Sequence, residues 1–158
     1  MNRWLKISLT ALVVTLLVLF GGLLQKTRAE AHNLLNAPME TRELPNDTPD
    51  DFKLKFEDVT VTNPDDMKLV GWFIPGDNDA VIIMQHGYKS TRSELLNEAE
   101  MMHRHGYNVL VTSIRAHDYS EGQLITLGKY EVDDMEAWYQ YLLTRDDIDP
   151  GKIGLLGN

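Results

Sequence analysis

The sequence predicts an α/β fold in which a β-hairpin precedes a parallel sheet with helices, and three observations predict it. Two β-rich runs flank the turn sequence Asn-Pro-Asp-Asp at residues 63–66, which favours an antiparallel hairpin. Continuous apolar runs, typical of strands buried on both faces, then alternate with segments of helical periodicity. A long uncharged stretch near the N-terminus precedes these elements and predicts one transmembrane helix.

Composition narrows the classes of function. The chain has 158 residues, which allows one domain once a targeting segment is removed. Its net charge is -9 and its pI is near 4.9. Phosphate binding needs clustered Lys and Arg, and the sequence holds no such cluster, so we expect no nucleic-acid partner. The absence of cysteine excludes a disulfide framework and a thiolate metal site.

Residues 1–28 are predicted to form a membrane anchor or a signal segment. Arg3 and Lys6 precede an uncharged run at residues 7–24. As a helix, this run would span about 27 Å of a hydrocarbon core about 30 Å thick. The alternative is a secretory signal peptide, because residues 29–31 (Ala-Glu-Ala) have the small-x-small spacing of a cleavage site.

The same stretch predicts where the protein lies. A first transmembrane segment ahead of a long C-terminal domain commonly exports that domain. We therefore expect a single-pass protein of the cell membrane whose folded domain is extracytoplasmic, or a secreted domain if the signal is cleaved. Residues 25–51 are polar and show no sustained period, which predicts a connector, with residues 29–51 as the linker.

The domain at residues 52–158 is predicted to contain the hairpin, then strand, helix, strand, helix and strand. The first helix follows Thr91, whose spacing from Glu94 is that of a capping box, and ends at Gly106. The second helix covers residues 130–144. The predicted strands lie at residues 55–62, 68–74, 80–84, 108–114 and 153–156.

The predicted parallel strands would all end at one edge of the sheet. Sites in open sheets of this kind form beyond the carboxyl ends of the strands. The meeting of these strand ends therefore supports a functional site at this edge more strongly than any single motif does. The residues expected there are His86, Gly87, Tyr88, residues 115–118, Gly157 and Asn158.

Four segments, in this order, carry a resemblance to a known family. They are residues 81–88 (VIIMQHGY), 114–122 (IRAHDYSEG), 125–128 (ITLG) and 148–158 (IDPGKIGLLGN). Together they resemble the α/β-hydrolase superfamily, and the chain looks most like its membrane-anchored bacterial branch related to the serine aminopeptidase-like hydrolases. The resemblance covers roughly residues 54–158. It implies the first half of an α/β-hydrolase sheet, so residues 52–158 would be a partial domain.

The resemblance implies an oxyanion role for the turn after the third strand. His86-Gly87-Tyr88 is similar to the family's His-Gly-x turn, in which the backbone N–H after the glycine forms half of the oxyanion hole. The Tyr88 amide would be this donor. Gly87 would let the backbone approach the substrate. The alternative is a plain strand-end turn in which His86 is hydrogen-bonded into the fold.

The resemblance also implies a nucleophile elbow, of which only the start is present. Gly157 and Asn158 are similar to the beginning of Gly-x-Ser-x-Gly, so the serine would be the next residue. The acid and the histidine of the triad would lie farther downstream. None of the five histidines can then be the catalytic base, and no catalytic side chain is assigned. We expect an N-terminal fragment that ends just before its nucleophile.

Other candidates have structural interpretations. Residues 113–122 resemble a loop that shapes the pocket entrance in this family, although Ser113 replaces the usual aspartate and Asp118 the usual glycine. Aspartate tolerates unusual backbone angles, so the loop can keep its shape. His103 and His105 are two apart on a helix and lack a third ligand, so no metal site is predicted.

The intact parent is expected to be a serine hydrolase. It would cleave small-molecule esters or peptides through an acyl-enzyme, without a metal or organic cofactor, and would contact the membrane through its N-terminal helix. The chain alone would be inactive because the nucleophile, acid and histidine are missing. The alternative is a non-catalytic, truncated, membrane-tethered interaction module. A binding domain that only shares the sheet topology is a third interpretation.

Overall fold

The computed structural model describes residues 2–40 and 42–157. The chain divides into two compact units, Met1–Leu35 and Asn36–Asn158. The helices are α1 (Arg3–Glu40), α2 (Leu96–Arg104) and α3 (Glu131–Leu143). The strands are β1 (Glu57–Thr62), β2 (Lys68–Ile74), β3 (Val81–Gln85), β4 (Asn108–Thr112) and β5 (Ile153–Gly157).

Helix α1 carries the uncharged N-terminal stretch. Within it, Ile7–Asn36 is long and apolar enough to cross a membrane, and a signal sequence has the same properties. The helix continues to Glu40, so the irregular connector expected from residue 25 is wrong as far as Glu40. Residues 25–36 contain neither glycine nor proline. Extending an existing helix adds one hydrogen bond per residue fixed, so the polar segment remains helical.

The strands form one mixed sheet in the order β1-β2-β4-β3-β5. β2 pairs antiparallel with β1 and with β4, whereas β3 pairs in parallel with β4 on one side and with β5 on the other. The predicted hairpin and the predicted β-α-β-α-β order are confirmed. Asn63 builds the hairpin turn, because its side-chain oxygen accepts the backbone N–H groups of Asp65 and Met67, each at 3.0 Å.

The two crossover helices cover opposite faces of the sheet. β4 lies to one side of β3 and β5 to the other, so right-handed crossovers place α2 and α3 on different faces. On one face, Leu96 of α2 belongs to a core with Trp72 and Met84. On the other, Trp138 of α3 belongs to a core with Ile83 and Leu110. Both faces at the centre of the sheet are therefore covered by apolar side chains, as its apolar strands predict.

The start of α2 differs from the sequence prediction. A short 3₁₀ turn, Arg92–Leu95, precedes the helix, and the Thr91 side chain makes no capping hydrogen bond. Its hydroxyl lies 2.7 Å from the Ser93 hydroxyl instead. The predicted capping box is wrong because this nearer hydroxyl competes for Thr91. The helix end is confirmed, since Gly106 adopts a φ of 86° and donates its N–H to the His103 carbonyl at 2.8 Å.

The segment after β2 runs directly over the backbone that enters β4. A Cβ atom on Gly76 would overlap the Tyr107 carbonyl group. The Gly76 N–H also donates to the Asn108 side-chain oxygen at 2.8 Å. Both neighbours are fixed, one as backbone and one by a hydrogen bond, so this position has no room for a side chain.

We expect Gly76→Ala to lower the free energy of unfolding by about 2–3 kcal/mol, because the added methyl group displaces backbone. Gly151→Ala is the matched control. A Cβ there first meets a side-chain oxygen of Asp149, rather than backbone, at 3.3 Å, so its effect should stay within about 0.5 kcal/mol. Urea unfolding of the full chain in neutral detergent, followed by tryptophan fluorescence, measures both variants. Equal stability of the two would contradict the close approach.

Candidate functional site

Three neighbouring strands end side by side at the candidate site. Gln85, the last residue of β3, pairs with Thr112 at the end of β4 and with Gly157 at the end of β5. The turn that follows β3 therefore begins between the end of β4 and the end of β5. Tyr88 lies in this turn, three residues after Gln85. Asn158, the second predicted elbow residue, lies outside the described residues.

His86 is a buried, neutral side chain in the turn after β3. It is only 3% exposed. Its Nδ1 lies 2.8 Å from the Gly87 carbonyl oxygen, which can only accept, so Nδ1 carries the proton. Its Nε2 is buried and has no hydrogen-bond partner among the described residues. Burial lowers the pKa of His86 to about 4.

His117 joins the loop after β4 to the same turn. The Lys89 backbone N–H donates to its Nε2 at 3.0 Å. Nδ1 must then carry the proton, which it donates to the Arg115 carbonyl at 2.9 Å. Burial lowers the pKa of His117, so this ring is also neutral at pH 7. The rings of His86 and His117 lie 5.3 Å apart.

Both nitrogens of His117 are committed to backbone partners, so it is a structural side chain. The same holds for Ser120, whose hydroxyl donates to the Ser113 carbonyl at 3.1 Å and accepts the Val70 N–H at 3.1 Å. The Ser113 hydroxyl lies 3.2 Å from the His117 carbonyl oxygen. The serine that replaces the usual aspartate thus binds backbone within the loop. Among the described residues, this loop presents no paired nucleophile and base.

The loop contains residues in the left-handed region. Asp118 adopts a φ of 49° and Ala116 a φ of 62°. Asp118 therefore takes up the conformation for which the family pattern has a glycine, as its tolerance of such angles predicts. Conformations of this kind persist where surrounding contacts over-determine them.

An ion pair that the sequence does not reveal fixes Asp118. Arg92 donates to its carboxylate from Nε at 2.6 Å and from a terminal nitrogen at 3.2 Å. The side chains are 4% and 0% exposed. The guanidinium also lies 4.0 Å from the centre of the Trp72 ring. Arg92 begins the turn ahead of α2, so this pair ties the loop after β4 to the connection after β3.

A second buried ion pair ties the loop to α3. Arg115 donates to the Asp134 carboxylate from Nε at 2.9 Å and from a terminal nitrogen at 2.7 Å. It also reaches Asp65 in the hairpin turn at 2.8 Å. Asn63 donates to Asp134 from the same turn at 2.6 Å. One guanidinium therefore connects the hairpin, the site loop and α3.

The motif at residues 125–128 shapes the start of α3. The Glu131 carboxylate accepts the Thr126 N–H at 2.7 Å and the Gly128 N–H at 2.6 Å. Burial would raise the pKa of Glu131, but these hydrogen bonds lower it overall. This role of Glu131 was not predicted from the sequence, although a carboxylate in the first turn of a helix is a usual signal of it.

Of the two histidines near the end of α2, His105 has a structural partner, whereas the buried Nδ1 of His103 has no hydrogen-bond partner among the described residues. His105 contacts the Met101 carbonyl oxygen through Nδ1 at 2.8 Å, one turn back on α2. Within the described ranges, no group of three or more His, Cys, Asp or Glu side chains could hold a metal ion.

The chain is similar to known proteins both in sequence and in structure. No family model matches the chain. Uncharacterized proteins from two strains of Mycobacterium tuberculosis are 28% identical to it over 103 residues, which are 63% of this chain and 36% of theirs. The Pyrococcus furiosus esterase Pf2001 aligns with a TM-score of 0.67 and 35% identity, covering 73% of this chain and 45% of the esterase.

A Vibrio vulnificus alpha-beta hydrolase aligns with a TM-score of 0.64 and 21% identity, covering 82% of this chain and 46% of that one. These structural neighbours confirm the predicted fold class. An apolar helix is followed by a mixed five-stranded sheet with helices, arranged as in α/β hydrolases. The chain spans 36% of the length of its curated relatives and 45% of the esterase chain.

The buried histidine in the turn predicts a pH dependence. In the unfolded chain His86 has its ordinary pKa of 6.5, whereas folding lowers it to about 4. Its neutral form thus contributes stability that is fully present above pH 6.5 and is lost as the pH falls toward 4. Across this window, His86 should lower the free energy of unfolding by up to about 1.4 kcal/mol per pH unit.

His86→Asn keeps a donor near the Gly87 carbonyl but removes the titrating ring. We expect a shallower dependence of stability on pH in this variant, measured by urea unfolding between pH 7 and 4.5. His105→Asn, on the exposed end of α2, is the control and should keep the full slope. A slope in His86→Asn as steep as that of the unaltered protein would contradict this assignment.

Proposed function

We propose that residues 52–158 form the N-terminal half of a serine hydrolase domain that is completed in a longer polypeptide. The observation that carries this proposal is the parallel register of β3 and β5, in which Gln85 pairs with Gly157. This register puts the end of β3, three residues before Tyr88, beside the end of β5, and it supports an oxyanion donor close to a nucleophile that would follow β5. The similarity to esterase Pf2001 at 35% identity supports ester hydrolysis as the type of reaction.

The proposed chemistry is acyl transfer to a serine that follows Asn158. The serine oxygen bonds to the substrate carbonyl carbon while its proton passes to a histidine farther along the chain. The Tyr88 N–H stabilises the resulting oxyanion, together with the N–H of the residue after the serine. The alcohol or amine then departs with the proton. A water molecule cleaves the acyl-enzyme in the same manner, releasing the acid and restoring the serine.

The chain without that completion is proposed to be inactive. His117 has both ring nitrogens bound to backbone groups, and the Ser113 and Ser120 hydroxyls contact backbone carbonyls. These contacts support a purely structural role for the loop. In this proposal the triad comes from elsewhere in the longer polypeptide.

The proposed setting is the outer surface of the cell membrane, in the membrane-anchored branch related to serine aminopeptidase-like hydrolases. The apolar helix Ile7–Asn36 supports an anchor, and secretion after signal cleavage is the alternative. In the anchored form, residues 1–28 cross the membrane and residues 52–158 belong to the catalytic domain. Residues 29–51, which are helical as far as Glu40, connect the two. The substrates would be small esters or peptides.

The test begins with reading the source DNA beyond the Asn158 codon and producing the encoded longer protein. We expect a fluorophosphonate probe to label a serine directly after Asn158 in that protein and to leave the 158-residue chain unlabelled. A longer protein that folds but is never labelled would contradict the proposal. A stop codon there would do so as well, and would favour the non-catalytic interaction module.

The oxyanion assignment has its own test in the longer protein. Tyr88→Pro removes the backbone N–H and should lower kcat by about 10²–10³-fold, because one oxyanion donor is lost. Tyr88→Phe keeps the amide and the ring beside His117, so it should stay within a few-fold of the unaltered enzyme. Melting temperatures of both variants separate a loss of chemistry from a loss of folding. Similar rates for the two variants would contradict the assignment.

A further inference from the structure

One arginine from the segment after α1 is bound to the site loop. Arg42 is half-buried. A terminal nitrogen donates to the Ser120 carbonyl at 3.0 Å and lies 3.5 Å from the Gly122 carbonyl. Its Nε lies 3.4 Å from the Ala116 carbonyl. One guanidinium therefore collects three carbonyls of a single loop.

The shape of the loop explains why an arginine suits this position. Ala116, Asp118 and Gly122 all have positive φ, at 62°, 49° and 116°. With this backbone, three carbonyl oxygens converge on one point, where their partial negative charges repel one another. A guanidinium offers five donors in a rigid plane and keeps its charge at every accessible pH. It can satisfy all three carbonyls at once, which a neutral side chain cannot.

The loop passes this restraint to the turn after β3. His117 lies between Ala116, which Arg42 binds, and Asp118, which Arg92 binds. Its ring accepts the Lys89 N–H at 3.0 Å, and Lys89 directly follows Tyr88. A continuous path of hydrogen bonds and covalent bonds thus leads from Arg42 to the candidate oxyanion donor.

We propose that Arg42 is a positioning residue, which fastens the segment after α1 onto the loop at residues 116–122 and thereby holds the turn that carries Tyr88. The mechanical coupling stands independently of the reaction. Only its consequence for catalysis rests on the proposed function. The segment that follows the apolar helix then helps to hold the loop at one side of the site. We call the hydrogen bonds from Arg42 to the carbonyls of Ala116, Ser120 and Gly122 the clamp.

The charges around His117 provide a local reporter of this clamp. Burial is the main cause that lowers the pKa of His117, and the positive charge of Arg42 lowers it further. Glu131 and Asp118 act in the opposite direction, as does the hydrogen bond to the Arg115 carbonyl. Removal of Arg42 takes away one positive charge and loosens the burial, so both effects raise the pKa of His117.

The experiment compares Arg42→Gln and Arg42→Lys in the full chain in detergent micelles. We expect Arg42→Gln to speed amide hydrogen exchange about tenfold at Ala116, Ser120 and Glu121, as expected for loss of a charge-assisted hydrogen bond. These amides bond within the loop or to β2. The pKa of His117, followed by NMR of ring-labelled histidine, should rise. Arg42→Lys should restore part of both effects.

Two controls make the test specific. Arg104→Gln removes the same charge from the exposed surface of α2 and should change neither measurement. In Arg42→Ala, guanidinium ion at a few tens of millimolar should slow loop exchange again, whereas sodium chloride at equal ionic strength should not. Rescue would show that the carbonyls require the guanidinium group rather than the chain that bears it.

The outcomes separate cleanly. Unchanged loop exchange and an unchanged His117 titration in Arg42→Gln would overturn the proposal. Equal acceleration in the core strands β3 and β4 would also overturn it, since the effect would then be global. If the loop responds as expected but the longer protein fails to react with fluorophosphonate, the proposed function fails and the clamp stands.

Discussion

The candidate site depends on the conformation of one loop, and two buried ion pairs impose it. The side chains of Arg92–Asp118 and of Arg115–Asp134 are almost completely buried. Burying such charges costs several kcal/mol per ion unless the geometry and additional hydrogen bonds compensate. Both pairs are bidentate and further bonded, Asp118 by the Tyr119 N–H and Asp134 by Asn63. Breaking either pair would leave an uncompensated charge, so alternative loop conformations are disfavoured.

The loop in turn links elements that are distant in sequence. Through Arg115 it reaches α3 and the hairpin turn, and through Arg92 it reaches the connection ahead of α2. Through His117 it holds the turn after β3. The buried ion pairs and hydrogen bonds of the loop therefore stabilise the edge of the sheet where β3, β4 and β5 end. Apolar packing within the sheet stabilises it as well, since Met84 and Leu110 are fully buried.

Local chemistry explains which parts of this arrangement the sequence predicts. Neighbouring residues encode three of its features, which the sequence therefore predicts. These are the turn at residues 63–66, the apolar run of β3 and the helix end at Gly106. The fit of Asp118 to a left-handed position is also a local property. The contacts that hold the loop are not local. Arg92 is 26 residues from Asp118, and Arg42 binds loop carbonyls that are 74–80 residues away from it. Only the folded topology brings these groups together. The false capping box at Thr91 shows the converse, since a correct spacing was overridden by a nearer hydroxyl.

The sheet order also constrains how the polypeptide can acquire its structure during synthesis. The hairpin of β1 and β2 is closed by neighbouring residues and needs only a short loop. β3 emerges next from the ribosome, yet neither of its neighbours exists at that moment, because β2 pairs with β4 and both partners of β3 are made later. The apolar strand Val81–Gln85 must wait until residue 112 has been translated. During that interval it is a hydrophobic segment without a partner, the kind of sequence that molecular chaperones protect on nascent chains.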